Sequence, residues 1–164
     1  MDAVTYARKQ IESTFGLFNM CADGMNDDQY NFNPGGTCNS AAKSHVHAMT
    51  SIDFFVNGML RGAGLGWTSV ANANGLPANP MEIWGFDGKI PLDAIKQYGA
   101  QVQQQTLDYV ASLKPEDLDR ELDTRFFGTQ TVAFVLQLAV NHSMGHGGDI
   151  AAVKGVQGLK GLPF

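Results

Sequence analysis

Charged residues are scarce in this sequence, and its basic residues are scattered. Lys, Arg, Asp and Glu make up 16% of the 164 residues, with 11 basic against 16 acidic side chains and a formal net charge of −5. Proteins that bind nucleic acid use clusters of Lys and Arg to neutralise phosphates. The sequence contains no such cluster, so we expect no nucleic-acid partner.

Long apolar runs and paired cysteines are also missing. The longest strongly apolar run, Val132 to Val140, is interrupted by Gln137 and falls well short of the roughly 20 residues that span a bilayer. The first residues lack the pattern of a signal peptide. Cys21 and Cys38 have no CxxC spacing and are expected to be free thiols. These features predict a cytoplasmic protein without a membrane partner.

The length and the apolar periodicity predict one all-α domain over residues 1–164. Apolar residues recur at three- and four-residue spacing in four stretches, which caps and turn residues separate. The predicted helices run from about Val4 to Cys21, from Asn39 or Ser40 to about Leu60, from Pro91 to Leu113, and from a cap at Thr129 or Thr131 through Val153. Four long helices favour a four-helix bundle.

Glycine is abundant, with 19 residues, and many of them lie between the second and third helices. Residues 61–89 contain too many Gly and Pro for a long regular element. Trp67, Trp84 and other large apolar residues in this stretch indicate a long, packed crossover. Residues 126–130 are expected to form a short extended piece, and no stretch alternates long enough to predict a sheet.

All four histidines fall into two short clusters, each inside a predicted helix. His142 and His146 are four residues apart, so they lie on one helix face with Cβ atoms about 5–6 Å from each other. Two imidazoles at this spacing can bind one divalent ion. The two remaining histidines, His45 and His47, lie on the second helix, which would have to supply a third ligand.

The residues alone leave the third ligand open between His45 and His47. Two residues on a helix are rotated by about 200°, so only one of these imidazoles can face the pair on the fourth helix. The apolar stripe of the second helix favours His45, which shares a face with Met49, Ile52 and Val56. His47 shares a face with Ser44, Ser51, Phe54 and Gly58, which would line a small, partly polar pocket.

Two patches of sequence resemble the DinB and YfiT-like superfamily of metalloenzymes. The first consists of Asn39-Ser40, a histidine seven residues after this serine, Asp53, and Val56-Asn57-Gly58. The second is the segment from Asn141 to Ala152, which resembles the family's closing His-x-x-x-His-x-Gly-(Glu or Gln)-Ile motif, followed by Gly155-Val156-Gln157-Gly158. The family motif carries Glu or Gln at the position of Asp149. The order of helices and loops is similar over nearly the whole chain.

The resemblance implies an up-down-down-up four-helix bundle with one divalent ion bound by His47, His142 and His146. Zinc or nickel is the favoured metal, and manganese or iron is also compatible. The resemblance also implies a homodimer and a small-molecule substrate, with a low-molecular-weight thiol as a candidate. We therefore expect a metal-dependent enzyme in which the ion activates a small thiol or water, as a thiol-dependent transferase or a hydrolase.

Several further expectations depend on this site. Asp53 and Asp149 are candidates to orient the second ring nitrogen of a histidine ligand, and Trp67 and Trp84 are candidates to line the substrate entrance. Cys38 is too far from His47 along the second helix to complete a closed set of ligands. The alternative function is a non-catalytic metal-binding or stress-related helical protein. The sequence has no nucleophile motif, phosphate-binding glycine loop or carboxylate dyad that would name a substrate.

Overall fold

The structure, a computed structural model, describes residues 1–162. Its α-helices are α1 (Ala3–Ala22), α2 (Asp27–Tyr30), α3 (Ala41–Ile52), α4 (Trp67–Asn74), α5 (Leu92–Ser112) and α6 (Val132–Val156). A π-helix spans Asp53–Leu60, and 3-10 helices span Pro80–Gly85 and Pro115–Asp119. Two short strands, β1 (Glu121–Asp123) and β2 (Thr129–Thr131), pair antiparallel. None of the helices in this range has the length and hydropathy needed to cross a membrane.

The four long helices α1, α3, α5 and α6 form the predicted bundle. Both α1 and α3 pack against α5 and α6. Their inward faces carry apolar side chains that are almost completely buried, including Phe18, Met49, Ile95 and Ile150. The prediction of an all-α four-helix bundle is confirmed, and Cys21 and Cys38 are free thiols, the first buried and the second exposed.

Side-chain caps fix where two of these helices begin. The hydroxyl of Ser40 accepts a hydrogen bond from the backbone amide of Lys43 at the start of α3. The hydroxyl of Thr131 accepts one from the amide of Phe134 at the start of α6. Each cap satisfies an amide that has no partner within the helix. Of the two caps considered for each helix, the structure therefore selects Ser40 and Thr131.

The second predicted helix is regular only in its first half. It changes from α3 to the π-helix at Asp53, and the amide of Arg61 donates to the carbonyl of Val56, five residues earlier. Over two turns, the apolar pattern of a π-helix is too close to that of an α-helix for periodicity to separate them. The predicted end of the second helix at Leu60 is confirmed, and its second half, from Asp53, is a π-helix.

The connections contain more structure than the sequence predicted. The crossover at residues 61–89 includes α4 and the 3-10 helix Pro80–Gly85. The hairpin of β1 and β2 places Leu122 opposite Gln130 before α6 begins. Strands of three residues are too short to show the alternation that predicts a sheet, so the expectation of no sheet is wrong for this hairpin.

Two helix glycines provide a matched test of the packing. A methyl group added at Gly99 would lie 3.2 Å from Cγ of the buried Met49 on α3, whereas one added at Gly148 would meet nothing within 4 Å. Alanine stabilises a helix interior by up to about 1 kcal/mol relative to glycine, but overpacking costs about 1–3 kcal/mol. We expect Gly148→Ala to raise the free energy of unfolding by about 0.5–1 kcal/mol and Gly99→Ala to lower it by about 1 kcal/mol.

Urea denaturation of both variants measures the difference. Equal stabilisation by the two substitutions would contradict the close approach of α5 to α3 at Gly99.

Candidate metal centre

Three of the four histidines meet where α3 packs against α6. His47 comes from α3, and His142 and His146 come from successive turns of α6. Each offers a ring nitrogen, and these three nitrogens all lie within 4.8 Å of one another. The ring centroids are 5.0 Å apart for His47 and His142, 4.9 Å for His47 and His146, and 4.6 Å for His142 and His146.

His45 is turned away from this cluster. Its imidazole is buried against the rings of Phe18 and Tyr30, with centroids 5.1 and 5.9 Å away. The apolar stripe of α3 thus correctly indicated that His45 faces the core, but this is not the side on which the other histidines meet. The helix-two histidine that the structure brings to the cluster is His47.

The surroundings of the cluster keep two of its imidazoles, those of His47 and His142, neutral at neutral pH. Burial and, to a smaller extent, the neighbouring His146 lower the pKa of His47 to about 4. Burial likewise lowers the pKa of His142 to about 4, with smaller contributions from His146 and His47. Neutral imidazoles have the lone pairs that metal ligands require. At neutral pH, both side chains are therefore in the protonation state that binds a metal ion.

One nitrogen of the cluster lacks a partner. Nε2 of His142 is buried and makes no hydrogen bond with any residue in the described range. An unpaired buried polar atom costs about 1–3 kcal/mol. A divalent transition metal bound by the three imidazoles would satisfy this atom, so the donor set fits such an ion.

Asp149 orients one of the three imidazoles. Its Oδ2 lies 2.9 Å from Nδ1 of His146. A carboxylate in this position favours the tautomer with the proton on Nδ1, which leaves the lone pair on Nε2. Asp149 therefore has the contact that was expected of it, although the resembled motif carries Glu or Gln at this position.

Asp53 has a different role from the one considered in the sequence. Its buried carboxylate accepts hydrogen bonds from the amide of Gly66 at 2.9 Å, the hydroxyl of Tyr98 at 2.8 Å and the side-chain amide of Asn57 at 3.0 Å. Burial, followed by the charge of Asp53, raises the pKa of Tyr98 well above its ordinary value. Asp53 therefore joins the π-helix, the crossover and α5, and the expectation that it orients a histidine is wrong.

The two tryptophans of the crossover also differ in their roles. The ring of Trp84, in the 3-10 helix Pro80–Gly85, lies 4.7 Å from the ring of His47 and 6.4 Å from that of His146. Trp67 is buried, and its indole N–H donates to the carbonyl of Pro77 at 3.0 Å. Trp84 thus packs against the histidines themselves, while Trp67 anchors the crossover and, as expected of it, lines the cavity that reaches His47 and His142.

The cluster has no fourth protein ligand in the part of the chain that the structure describes. No further His, Cys, Asp or Glu joins the group formed by His47, His142 and His146. A cavity of about 620 Å³ reaches His47 and His142 from the side of the hairpin. Closed structural zinc sites use four protein ligands, whereas catalytic sites keep a position for water or substrate. This arrangement has the form of an open site.

Comparisons with known proteins agree with this fold. A family model described as the DinB superfamily matches residues 10–150. The protein YjoA of Bacillus subtilis is 28% identical over 162 residues, which cover 94% of each sequence. A crystal structure of a conserved protein from Enterococcus faecalis has a TM-score of 0.79 at 17% identity and covers 95% of this chain and 97% of its own. The crystal structure of the DinB-like protein YjoA from Bacillus subtilis has a TM-score of 0.67 at 24% identity, with coverage of 97% and 96%.

Replacing each of the two aspartates by asparagine should affect a different property: the stability of the fold for Asp53 and the metal affinity for Asp149. Asp53→Asn removes a charged acceptor from a buried network, so we expect the free energy of unfolding to fall by about 2 kcal/mol with no change in the number of metal ions bound per chain. Asp149→Asn alters only the partner of His146 and should weaken metal affinity about tenfold while the fold stays intact.

Urea denaturation and competition with a chromophoric chelator measure these two quantities. Loss of the metal ion in Asp53→Asn at unchanged stability would reverse the assignment.

Proposed function

The chain belongs to the DinB superfamily, and from that premise we propose that it is a metal-dependent enzyme whose ion is bound by His47, His142 and His146. Zinc or nickel is the favoured metal. The proposed reaction is a thiol-dependent transfer or a hydrolysis. The observation that supports it is the meeting of three half-buried imidazoles, with no fourth protein ligand among residues 1–162, beside a cavity large enough for a small molecule.

The histidines and their neighbours have separate tasks in this proposal. His142 and His146 lie one turn apart on α6, and His47 faces them from α3, so two packed helices fix all three donors. Asp149 holds the proton of His146 on Nδ1 and directs Nε2 toward the ion. Trp84 covers one side of the cluster and excludes water there.

The charge of the donor set determines the chemistry of the site. Three neutral imidazoles leave both positive charges of a divalent ion uncompensated. The bound ion would supply Lewis acidity, which lowers the pKa of a coordinated thiol or water toward neutral pH. Substrate would reach this position through the cavity that adjoins His47 and His142.

Metal analysis of single-histidine variants tests the ligand set. We expect about one ion per chain in the natural protein by plasma mass spectrometry, and loss of that ion in His47→Ala, His142→Ala and His146→Ala. His45→Leu is the matched control, because His45 lies on the same helix but among apolar rings. It should fold and retain the ion.

Retention of the ion in His47→Ala together with its loss in His45→Leu would overturn the assignment, as would a natural protein that binds no ion. The homodimer expected from the resemblance stays a prediction, which light scattering on the same preparations measures.

Cobalt substitution tests whether the site is open to a thiol. A low-molecular-weight thiol added to the cobalt-loaded protein should produce a thiolate-to-cobalt charge-transfer band in the near ultraviolet, and His142→Ala should not show it. An open catalytic site admits this exogenous ligand, whereas a structural site closed by protein and tightly held water does not.

If thiols produce no such band and small anions leave the cobalt absorption spectrum unchanged, the alternative, a non-catalytic metal-binding protein, would be favoured.

A further inference from the structure

The cavity beside the histidines has an apolar wall that metal binding does not explain. It measures about 620 Å³, within the range of about 300–1,000 Å³ that is typical of small-molecule sites. Its histidine end is formed by His47 and His142, and the tip of the β1–β2 hairpin contributes Arg125, Phe126 and Phe127 to its lining. A small hydrophilic thiol or a water molecule needs neither this volume nor an apolar wall.

Four phenylalanines from two separate elements build this wall. Phe54 and Phe55 come from the π-helix, and Phe126 and Phe127 come from the hairpin tip. The rings of Phe54 and Phe126 lie 6.0 Å apart, and those of Phe55 and Phe127 lie 6.4 Å apart. Phe126 is 63% exposed and Phe127 is 45% exposed. Exposed aromatic rings around a cavity mark a surface that gains stability when a ligand covers it.

Hydrogen bonds around Thr124 hold the hairpin tip in shape. The buried hydroxyl of Thr124 donates to the carbonyl of Gly128 at 2.7 Å and accepts from the amide of Phe127 at 3.1 Å. The Thr124 amide also donates to the carbonyl of Gly128 at 3.0 Å. The two phenylalanines of the tip are therefore presented by a structured loop, so a ligand would not have to order this wall when it binds.

Arg125 occupies a position in this tip that normally favours glycine. Its φ is +62°, the only left-handed value at a residue other than glycine within the described part of the chain. This conformation costs roughly 1–2 kcal/mol for a residue with a Cβ atom. Glycine would remove the cost but also the guanidinium group, which lines the cavity 5.7 Å from the Phe126 ring.

The guanidinium of Arg125 has no ion-pair partner among the described residues, although the carboxylate of the nearby Asp123 accepts a hydrogen bond from the Arg125 backbone amide at 2.9 Å. Within residues 1–162 the ion pairs involve Lys89, Lys96 and His146, and none involves Arg125. The cavity is also lined by Asp53, but its carboxylate already accepts three hydrogen bonds. Arginine binds carboxylate and similar anions in bidentate geometry. The cavity therefore combines an apolar wall with one available positive charge.

We propose that this cavity is the subsite for a singly charged anionic substrate with an aromatic or branched apolar body. The body packs against Phe54, Phe55, Phe126 and Phe127, the anionic group lies at Arg125, and the reacting atom points toward His47 and His142. This inference rests on the proposed function, because the histidine end is where the ion would act. It adds the chemical class of the molecule on which the thiol or water acts.

A matched pair of fluorescent probes tests the subsite. The probe 8-anilinonaphthalene-1-sulfonate has an aromatic body and one negative charge, and N-phenyl-1-naphthylamine has the same body without the charge. Arg125→Gln should weaken the binding of the sulfonate about tenfold and leave the neutral probe unchanged. Phe126→Ala should weaken both probes several-fold, because it removes part of the apolar wall.

Two substitutions on α1 serve as controls, since both residues are exposed and neither lines the cavity. Arg8→Gln removes an equivalent charge and Met20→Ala an equivalent exposed apolar side chain, and neither should change the affinity of either probe. Sulfonate affinity that is equal in the natural protein, Arg125→Gln and Phe126→Ala would overturn the proposal. So would loss of sulfonate binding in Arg8→Gln to the same extent as in Arg125→Gln.

The same titrations on chelator-treated protein separate this proposal from the metal proposal. The wall and Arg125 contain no proposed metal ligand, so the probes should bind with or without the ion. Normal probe binding in a protein that never takes up metal would overturn the proposed function and leave the anionic apolar subsite standing. One bound ion per chain with probe binding that ignores Arg125 and Phe126 would overturn the subsite and leave the metal centre standing.

Discussion

Burial of three imidazoles at one helix contact is the constraint on which the rest of the site depends. Protonating His47 or His142 there is unfavourable, because burial removes water from each imidazole and the neighbouring histidines add repulsion, and the pKa values of both are therefore lowered to about 4. Kept neutral, they expose lone pairs that the protein itself does not satisfy, as Nε2 of His142 illustrates. An unpaired buried nitrogen of this kind is costly, and three imidazoles converge around it. Their arrangement is favourable when an electrophile such as a metal ion lies between them.

The proposed metal ligands lie on regular helices, whereas the walls of the site come from irregular elements. This division matches how accurately each side chain has to be positioned. Metal ligands must be held to within a fraction of an ångström, and all three lie on long bundle helices that pack against each other. The walls around them come from the π-helix, the 3-10 helix that carries Trp84, and the hairpin tip. Asp53 joins these layers, because its carboxylate ties the π-helix to the crossover at Gly66 and to α5 at Tyr98.

The sequence predicted the parts of the site that regular helices create. Spacing alone placed His142 and His146 on one face, because four residues nearly complete a helical turn. The apolar periodicity could not decide between His45 and His47. It identifies the buried face of α3, but this helix packs against several neighbours, and the face that carries His45 packs against apolar rings and not against the other histidines. The family resemblance supplied the register that favours His47.

Other parts of the site left no readable pattern in the sequence. The hydrogen bonds of a π-helix span only one residue more than those of an α-helix, and the strands of the hairpin are three residues long. The role of Asp53 depends on Gly66 and Tyr98, which are 13 and 45 residues away in the chain. One signal was available for the hairpin tip, namely the adjacent Phe126 and Phe127 before Gly128. Two large apolar residues in a turn rarely stay exposed without a ligand or partner.

The overall charge of the protein makes the position of Arg125 more significant. A net charge of −5 disfavours the approach of anions over most of the surface. Near the cavity, a divalent ion on three neutral imidazoles and the guanidinium of Arg125 would together reverse the sign of the local field. An anionic molecule with an apolar body would be attracted by these two positive charges and would gain hydrophobic contacts with the phenylalanine wall.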